Sequence, residues 1–477
     1  AHGWSNEKVL QNYPQLKANE NNVISNTINT SGTTSDNYGV YGRGASDNNI
    51  TSNNIFAKGL TTSNIGVYLL VQRTNLTERN VISSNDIRTL GSNANAGIRL
   101  DTASNNTIVL NKINTTGTGT TNYGVYLTTN SSKNTIISNT VSTNGTSSNF
   151  GIYFLTNVSG NTVTLNNITT NGTSSSNYGV YLLINSSFNN ITSNIIRTGG
   201  TSNGYGVAIQ GLSNNNTVVS NIINTSGTTS TNYGLLIQGS SGNNFSSNEV
   251  LATGLTSSNY GIYLLSQIGT GNSTNSSHKN MINLNTIRTS GTSSNIGLYL
   301  QTAFNNTLLL NNISTDGSSS TNYGVHLLTN SSNNTISSNI ISTNGTSVNH
   351  GIYILTSSDN VLSLNIVSAN GTSNSNYGLF VNASSNHNMF NFTNISTKIG
   401  GLSYGIYIDN SSSNIFNNLM IKNSTGRAVF VNKNSTSNNF TNIIINNSGA
   451  EAIFLETYLG RLSYDNAFNN ITITKTV

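Results

Sequence analysis

The sequence contains no cysteine and one proline among 477 residues. Without thiols, a disulfide framework and a cysteine-based zinc site are both excluded. Charge is scarce: 7% of residues are Asp, Glu, Lys or Arg, against about 25% in an ordinary domain. No stretch approaches the ~20 apolar residues of a membrane-spanning helix. The net charge is +5, but 19 cations spread over this length do not form the dense stripe that a phosphate backbone requires. Nucleic acid is therefore not an expected partner. The numbering opens at Ala1 without Met or an apolar leader. The expectation is a mature exported chain, extracellular or at the cell surface, after signal-peptide removal.

What the chain has instead is Asn, Ser and Thr in abundance, with 44 Gly, 21 Tyr and 34% hydrophobic residues. That is enough for a core if the apolar residues fall periodically. They do. A short apolar motif around a glycine recurs as NYGVY at Gly39, NYGVYL at Gly124, NFGIYF at Gly151, NYGVYL at Gly179, NYGIYL at Gly261 and SYGIYI at Gly405. Degenerate copies follow near Ala428 and Ala452. The step is about 27 residues, the range of solenoid repeats. It lengthens twice, near residues 72–80 and 267–279, and both insertions should leave the body at the same corner. The last steps are shorter.

A second motif keeps a fixed offset: NTIVLNKI ending at Ile113, NTIISNTV at Val141, NTVTLNNI at Ile168, NTISSNII at Ile341. Between the motifs lie polar turns, with Gly145, Gly172, Gly345 and Gly371 following Asn, a pair that tolerates positive φ. Each repeat reads as three short strands, with a turn at Asn139 in the Gly124 repeat, and no segment has a helical period. Stacking such repeats buries one face of every strand, which gives an all-β solenoid of about 16 coils.

The pairing of a GIxL-like strand with an NTIxxNxI-like strand resembles the right-handed parallel β-helix repeat of pectate-lyase-like enzymes, NosD-like periplasmic proteins and many surface proteins. The resemblance runs over roughly residues 23–474. It implies that fold and leaves function open, because the superfamily holds enzymes and non-enzymes alike. A leucine-rich repeat would space Asn two residues after the preceding Leu and add a helical segment. Here Leu110 and Leu165 directly precede Asn111 and Asn166. The expected organisation is a non-repeat N-terminal cap or assembly segment at 1–22 and one β-helix at 23–477.

One Asn per repeat keeps a constant phase: Asn26, Asn53, Asn85, Asn111, Asn139, Asn166, Asn194, Asn221, Asn248, Asn285, Asn311, Asn339, Asn365 and Asn394. Stacked at about 4.8 Å, these amides should form an internal ladder. An aromatic stripe at one outward phase comprises Tyr41, Tyr68, Tyr126, Tyr153, Tyr181, Tyr263, Tyr299, Tyr353 and Tyr407, completed by Phe380, Phe430 and Phe454. Exposed, it would suit subunit association or sugar contact; stacking between coils is the alternative.

Catalytic chemistry is hard to place. The 14 acids scatter over different phases and distant coils, and the nearest group, Glu451, Glu456 and Asp465, lies in the last coils. Glycoside hydrolysis would need two carboxylates held about 5–10 Å apart. Of the five histidines, none forms a short-spaced metal pair; His326 and His350 stand where Tyr or Phe stands elsewhere and read as surface substitutions. No metal or cofactor is expected. Arg73, Arg79, Arg88 and Arg99 make the densest charge group. About thirty N-x-S/T sequons, among them Asn144, Asn171, Asn344, Asn370 and Asn434, are glycosylation candidates at turns. The leading expectation is a non-enzymatic structural subunit of an extracellular filament, sheath or surface layer. It would partner itself through its ends and the stripe, with surface glycans as a further partner. The alternatives are a carbohydrate-binding adhesin and a polysaccharide lyase or glycoside hydrolase.

Overall fold

The computed structural model describes residues 19–476 except 33–35, 60–62, 73–74, 93, 119–120, 147, 174–175, 202, 230, 256–257, 269–273, 293, 319–320, 347, 373–374, 399–402 and 458–462. Residues 1–18, most of the expected N-terminal segment, lie outside that set. The coil has already begun at its end: Asn22–Ile24 is a strand, and Asn21 bonds the next coil.

One coil illustrates all of them. Thr162–Thr164, Asn167–Gly172 and Asn177–Leu183 are its three strands. Third strands stack into a parallel sheet of 16, and first and second strands form one of 32. Partners lie in register one coil apart, as in Val163↔Ile191 and Ile168↔Ile196. No helix occurs among the described residues. The inward residues Val163, Ile168, Val180 and Leu182 are fully buried and belong to one apolar cluster, with Phe154 and Phe245 among its members, that runs from Ile50 to Ala452. The protein is a right-handed parallel β-helix, as expected.

The turn between first and second strands falls one residue before the expected position. Ser138, not Asn139, takes φ +54°, and Leu165 and Leu110 do the same in their coils at φ +57° and +58°. A single left-handed residue points its side chain outward, which is why Leu110 and Leu165 are 61% and 58% exposed. The following Asn is then turned into the body.

That Asn forms the ladder. Nδ2 of each residue donates to Oδ1 of the next at 2.9–3.1 Å from Asn53 through Asn111, Asn139, Asn166, Asn194, Asn221, Asn248, Asn285, Asn311 and Asn339 to Asn365. Asn394 is not a rung: it is exposed, and Thr393 occupies the buried place. Two ladders went unforeseen. One starts at Asn21–Asn48 and reaches Asn438–Asn466, with Asn134, Asn161 and Asn189 among its rungs. The other passes through Asn122, Asn149 and Asn177, breaks at Gly204, and resumes from Asn232 to Asn376.

The third ladder corrects the reading of the Asn-Gly turns. Gly172 does not have positive φ; it closes its strand, and a Cβ there would lie 2.2 Å from Asn149 Nδ2 and 2.4 Å from Asn177 Oδ1. Glycine is needed so that the amide can pass. Crowding also fixes the motif glycine: a Cβ on Gly179 would sit 2.1 Å from Ile196 Cγ2 and 2.6 Å from the Gly206 carbonyl oxygen.

Both insertions do leave the same corner, after the strands Asn64–Leu70 and Asn259–Leu265. Each folds back over a left-handed glycine of the preceding coil. A Cβ on Gly44 would meet Asn75 at 2.9 Å, and one on Gly239 would meet Asn275 at 2.9 Å. The second insertion carries the antiparallel pair Gln267–Ile268 and Thr274–Asn275.

Two measurements test this account. Asn194 donates its backbone N–H to Asn221 and its Nδ2 to Val163, Thr192 and Asn221, and accepts from Asn166 N and Nδ2. Asn194→Ala strands buried groups on both neighbours and should lower the unfolding free energy by about 3 kcal/mol in guanidinium titration. Thr170 Oγ1, by contrast, is buried without a partner, and the same column holds Ala at 57, 252 and 369. Thr170→Val should therefore raise stability by about 1 kcal/mol.

Candidate functional site

The outward face of the sixteen-stranded sheet carries the predicted aromatic stripe. The register passes over the motif glycine: Tyr178 faces Tyr205 and Val180 faces Val207. This bulge-like break lets residues three apart share the outer face. Tyr178 and Tyr181 accordingly stack at 4.5 Å. The stripe is thus double, a predicted column through Tyr126, Tyr153 and Tyr181 beside an unforeseen one through Tyr123, Phe150, Tyr178, Tyr205, Tyr233 and Tyr260. Its signal was the Tyr of each NYG motif, hidden by a strict two-residue alternation.

The rings cover one another. Tyr153 lies between Tyr126 at 5.3 Å and Tyr181 at 5.2 Å, its ring nearly parallel to both, and is 7% exposed. Tyr68, Tyr181, Tyr263 and Tyr353 are equally buried; Tyr126, Tyr299 and Tyr407 are half-buried; only Tyr41 in the first coil is open, at 48%. The expectation of an exposed stripe is corrected here: spaced one strand apart, flat side chains bury their faces against neighbours and leave phenol rims outside. Burial pushes the Tyr153, Tyr181 and Tyr263 hydroxyls well above the ordinary phenol range, and that of Tyr233 up to about 12. Several rims are tied to a polar residue of the next coil: Tyr181 and Tyr263 donate to Gln210 and Gln301, and Tyr407 accepts from Asn432 at 2.9 Å.

Arg99 replaces an aromatic and continues the column, its guanidinium 4.8 Å from the Tyr68 ring centre and 5.3 Å from that of Tyr126. The other arginines of that group divide: Arg79 pairs with Asp47 at 2.7 Å and Arg88 with Asp86 at 2.8 Å, while Arg73 lies outside the described residues. In the last coils Glu451 pairs with Arg427 at 3.1 Å. Among the described residues no three His, Asp or Glu side chains gather as a metal site.

The histidines differ from expectation. His326 and His350 are 7% and 5% exposed, not surface substitutions. His326 stacks between Tyr299 at 5.0 Å and Tyr353 at 4.8 Å, and His350 on Tyr377 at 4.8 Å. Both nitrogens of His326 and Nδ1 of His350 lack hydrogen-bond partners. Burial lowers each imidazole to about 3, so both are neutral in the fold.

The sequon residues fall outside all three ladders. Asn144, Asn344, Asn370 and Asn434 are half-buried and Asn171 is exposed. The reason is positional: a rung such as Asn166 or Asn177 is followed two residues later by an inward Ile168 or by Gly179, never by the required Ser or Thr.

A depressed histidine pKa stabilises only above the unfolded value near 6.5 and loses that contribution as pH falls, because the unfolded chain then binds more protons. Between pH 6.5 and 4, each of the two histidines should withdraw roughly 3 kcal/mol. The double variant His326→Tyr and His350→Tyr should flatten the dependence of the unfolding midpoint over that range.

Residues 91–250 match the family model described as the right handed beta helix region. No curated protein matches the sequence significantly. Among solved structures, the chain is similar to the periplasmic alginate epimerase AlgG, at 12% identity over 90% of this chain and 84% of that one, TM-score 0.32. It is similar to the Azotobacter vinelandii mannuronan C-5 epimerase AlgE4 A-module at 12% identity, covering 86% and 91%, TM-score 0.33. A chain of the Vag8–C1 inhibitor complex is also 12% identical, covering 94% and 100%, TM-score 0.43. In its coils and its register this chain has the right-handed parallel β-helix fold, and residues 91–250 carry the match to the family model of that name.

Proposed function

We propose that this chain is a structural subunit displayed outside the cell, a stiff rod that packs with its own kind into a filament, sheath or surface layer. The observation that carries this reading is the unbroken stacking from Asn21 to Asn466, in which one amide ladder spans the whole body. About sixteen coils at ~4.8 Å make a shaft near 80 Å long. Polar side chains that could do chemistry are largely spent on holding coils together, and the described acids sit singly or beside arginines.

Self-association is supported by the sheet edges. Among the described residues, Asn37–Arg43 and Ile453–Leu455 each have one partner in the sixteen-stranded sheet. Such edges pair readily with another chain. The apolar residues Ile24 and Tyr41 at one end, and Leu455 and Ile473 at the other, are 46–50% exposed. Contact through these ends would cover both.

Electron microscopy of the purified protein tests this. The expected images show rods joined end to end, with an axial repeat of about 80 Å. Dispersed monomers at high concentration, or turnover of a polysaccharide by the preparation, would overturn the reading.

A further inference from the structure

Beside the second insertion, at the corner that follows the third strand, lies a groove of about 400 Å³. Its walls include Asn214, Asn215, Ser241, Gly242, His278 and Lys279, with Leu212 along one side. The size suits one sugar unit or two. No carboxylate lines it.

The polar atoms of this groove are ordered by a short relay. Ser241 Oγ lies 2.6 Å from the Ser276 carbonyl oxygen and 2.8 Å from His278 Nδ1. A carbonyl can only accept, so the single hydroxyl proton goes to Ser276 and Nδ1 must donate to Ser241. Two consequences follow. Ser241 is not activated as a nucleophile, and with Nδ1 committed to Ser241 the ring offers Nε2 to the groove. The ring is held in place by stacking on Phe304 at 5.5 Å and 9°.

The remaining groups are mostly donors. Asn214 Oδ1 accepts from the Ser241 backbone N–H at 2.7 Å, which leaves its Nδ2 for a ligand. Lys279 takes a left-handed corner position at φ +54° and has no carboxylate within 4.0 Å among the described residues. At two equivalent corners the side chain is paired within the body, where Arg79 meets Asp47 and His387 meets Asp359. Gly242 keeps the floor low: at φ +66° it has no side chain, and a Cβ would come within 2.4 Å of Asn215 Oδ1.

We propose that this groove binds an anionic sugar residue. Lys279 and Asn214 Nδ2 hold its acidic group, His278 Nε2 and the Asn215 amide meet its hydroxyls, and Leu212 packs against its C–H face. The site stands whether or not the rods assemble, because it lies on the flank of a single chain.

Calorimetric titration of the full chain with glucose, glucuronic acid and glucose 6-sulfate tests the assignment. At least one of the two anions should bind about tenfold or more tightly than glucose, a difference of about 1.4 kcal/mol; which one does so separates carboxylated from sulfated sources. Lys279→Ala should weaken that binding several-fold while leaving thermal unfolding unchanged, and Asn214→Asp, which keeps the oxygen that accepts from Ser241 and removes the Nδ2 donor, should weaken it several-fold as well. Lys133→Ala, at the same left-handed corner position (φ +56°) away from the groove, should leave the affinity as it was. Equal affinity for all three sugars, no binding of any, or an equal loss with Lys133→Ala would overturn the proposal.

Discussion

The structure depends on one exchange between neighbouring coils: an Asn offers its Nδ2 and its backbone N–H to a single carbonyl oxygen, Oδ1 of the Asn one coil further on. At Asn139 these contacts measure 3.0 and 2.9 Å, and Nδ2 also reaches the Ile108 carbonyl of the preceding coil at 2.9 Å. Buried turns would otherwise hold unpaired backbone groups at a cost comparable to a lost hydrogen bond each. The amide satisfies its own turn and those on either side. This is why a chain with few aliphatics per coil and very little charge can be ordered over sixteen repeats: side-chain amides do at the corners what backbone ladders do in the strands.

Much of this was legible in sequence because the repeat is strict. The strands, the core positions Ile136, Val141 and Leu127, one ladder and the common corner of the insertions follow from phase alone. What escaped depended on atoms meeting across coils. Asn134 and Asn139 flank the same strand five residues apart, and only the second stood out, because the first is embedded in varied NNT and KNT contexts. The glycines after Asn were legible as special, but their reason, the passage of Asn149 and Asn177 beside Gly172, exists only in three dimensions. The outward tyrosines were placed correctly by phase and misjudged in exposure, because a period of two says nothing about the 5 Å spacing at which rings shield one another. The groove beside His278 had no sequence signal, since its walls come from three coils and an irregular insertion.

The aromatic face and the buried ladders divide the labour of the coil. Inside, apolar columns supply burial, and the amide rows fix register, because a one-residue slip would point every rung outward. Outside, stacked phenols cover the face of the sixteen-stranded sheet. Where a non-aromatic residue enters that face, its neighbours adapt: Arg99 lies flat against two tyrosines, and His326 and His350 surrender their protons to fit.

The hydrogen bonds between coils run along the shaft rather than across it. A rod built so resists bending, since every sheet would have to stretch on one side at once. Drawn out from a chain terminus, however, it must peel, with one coil's bonds loaded at a time. Each release frees about 27 residues and so roughly 90 Å of slack. The molecule is in effect a bobbin, rigid while wound and able to pay out thread in equal lengths under tension.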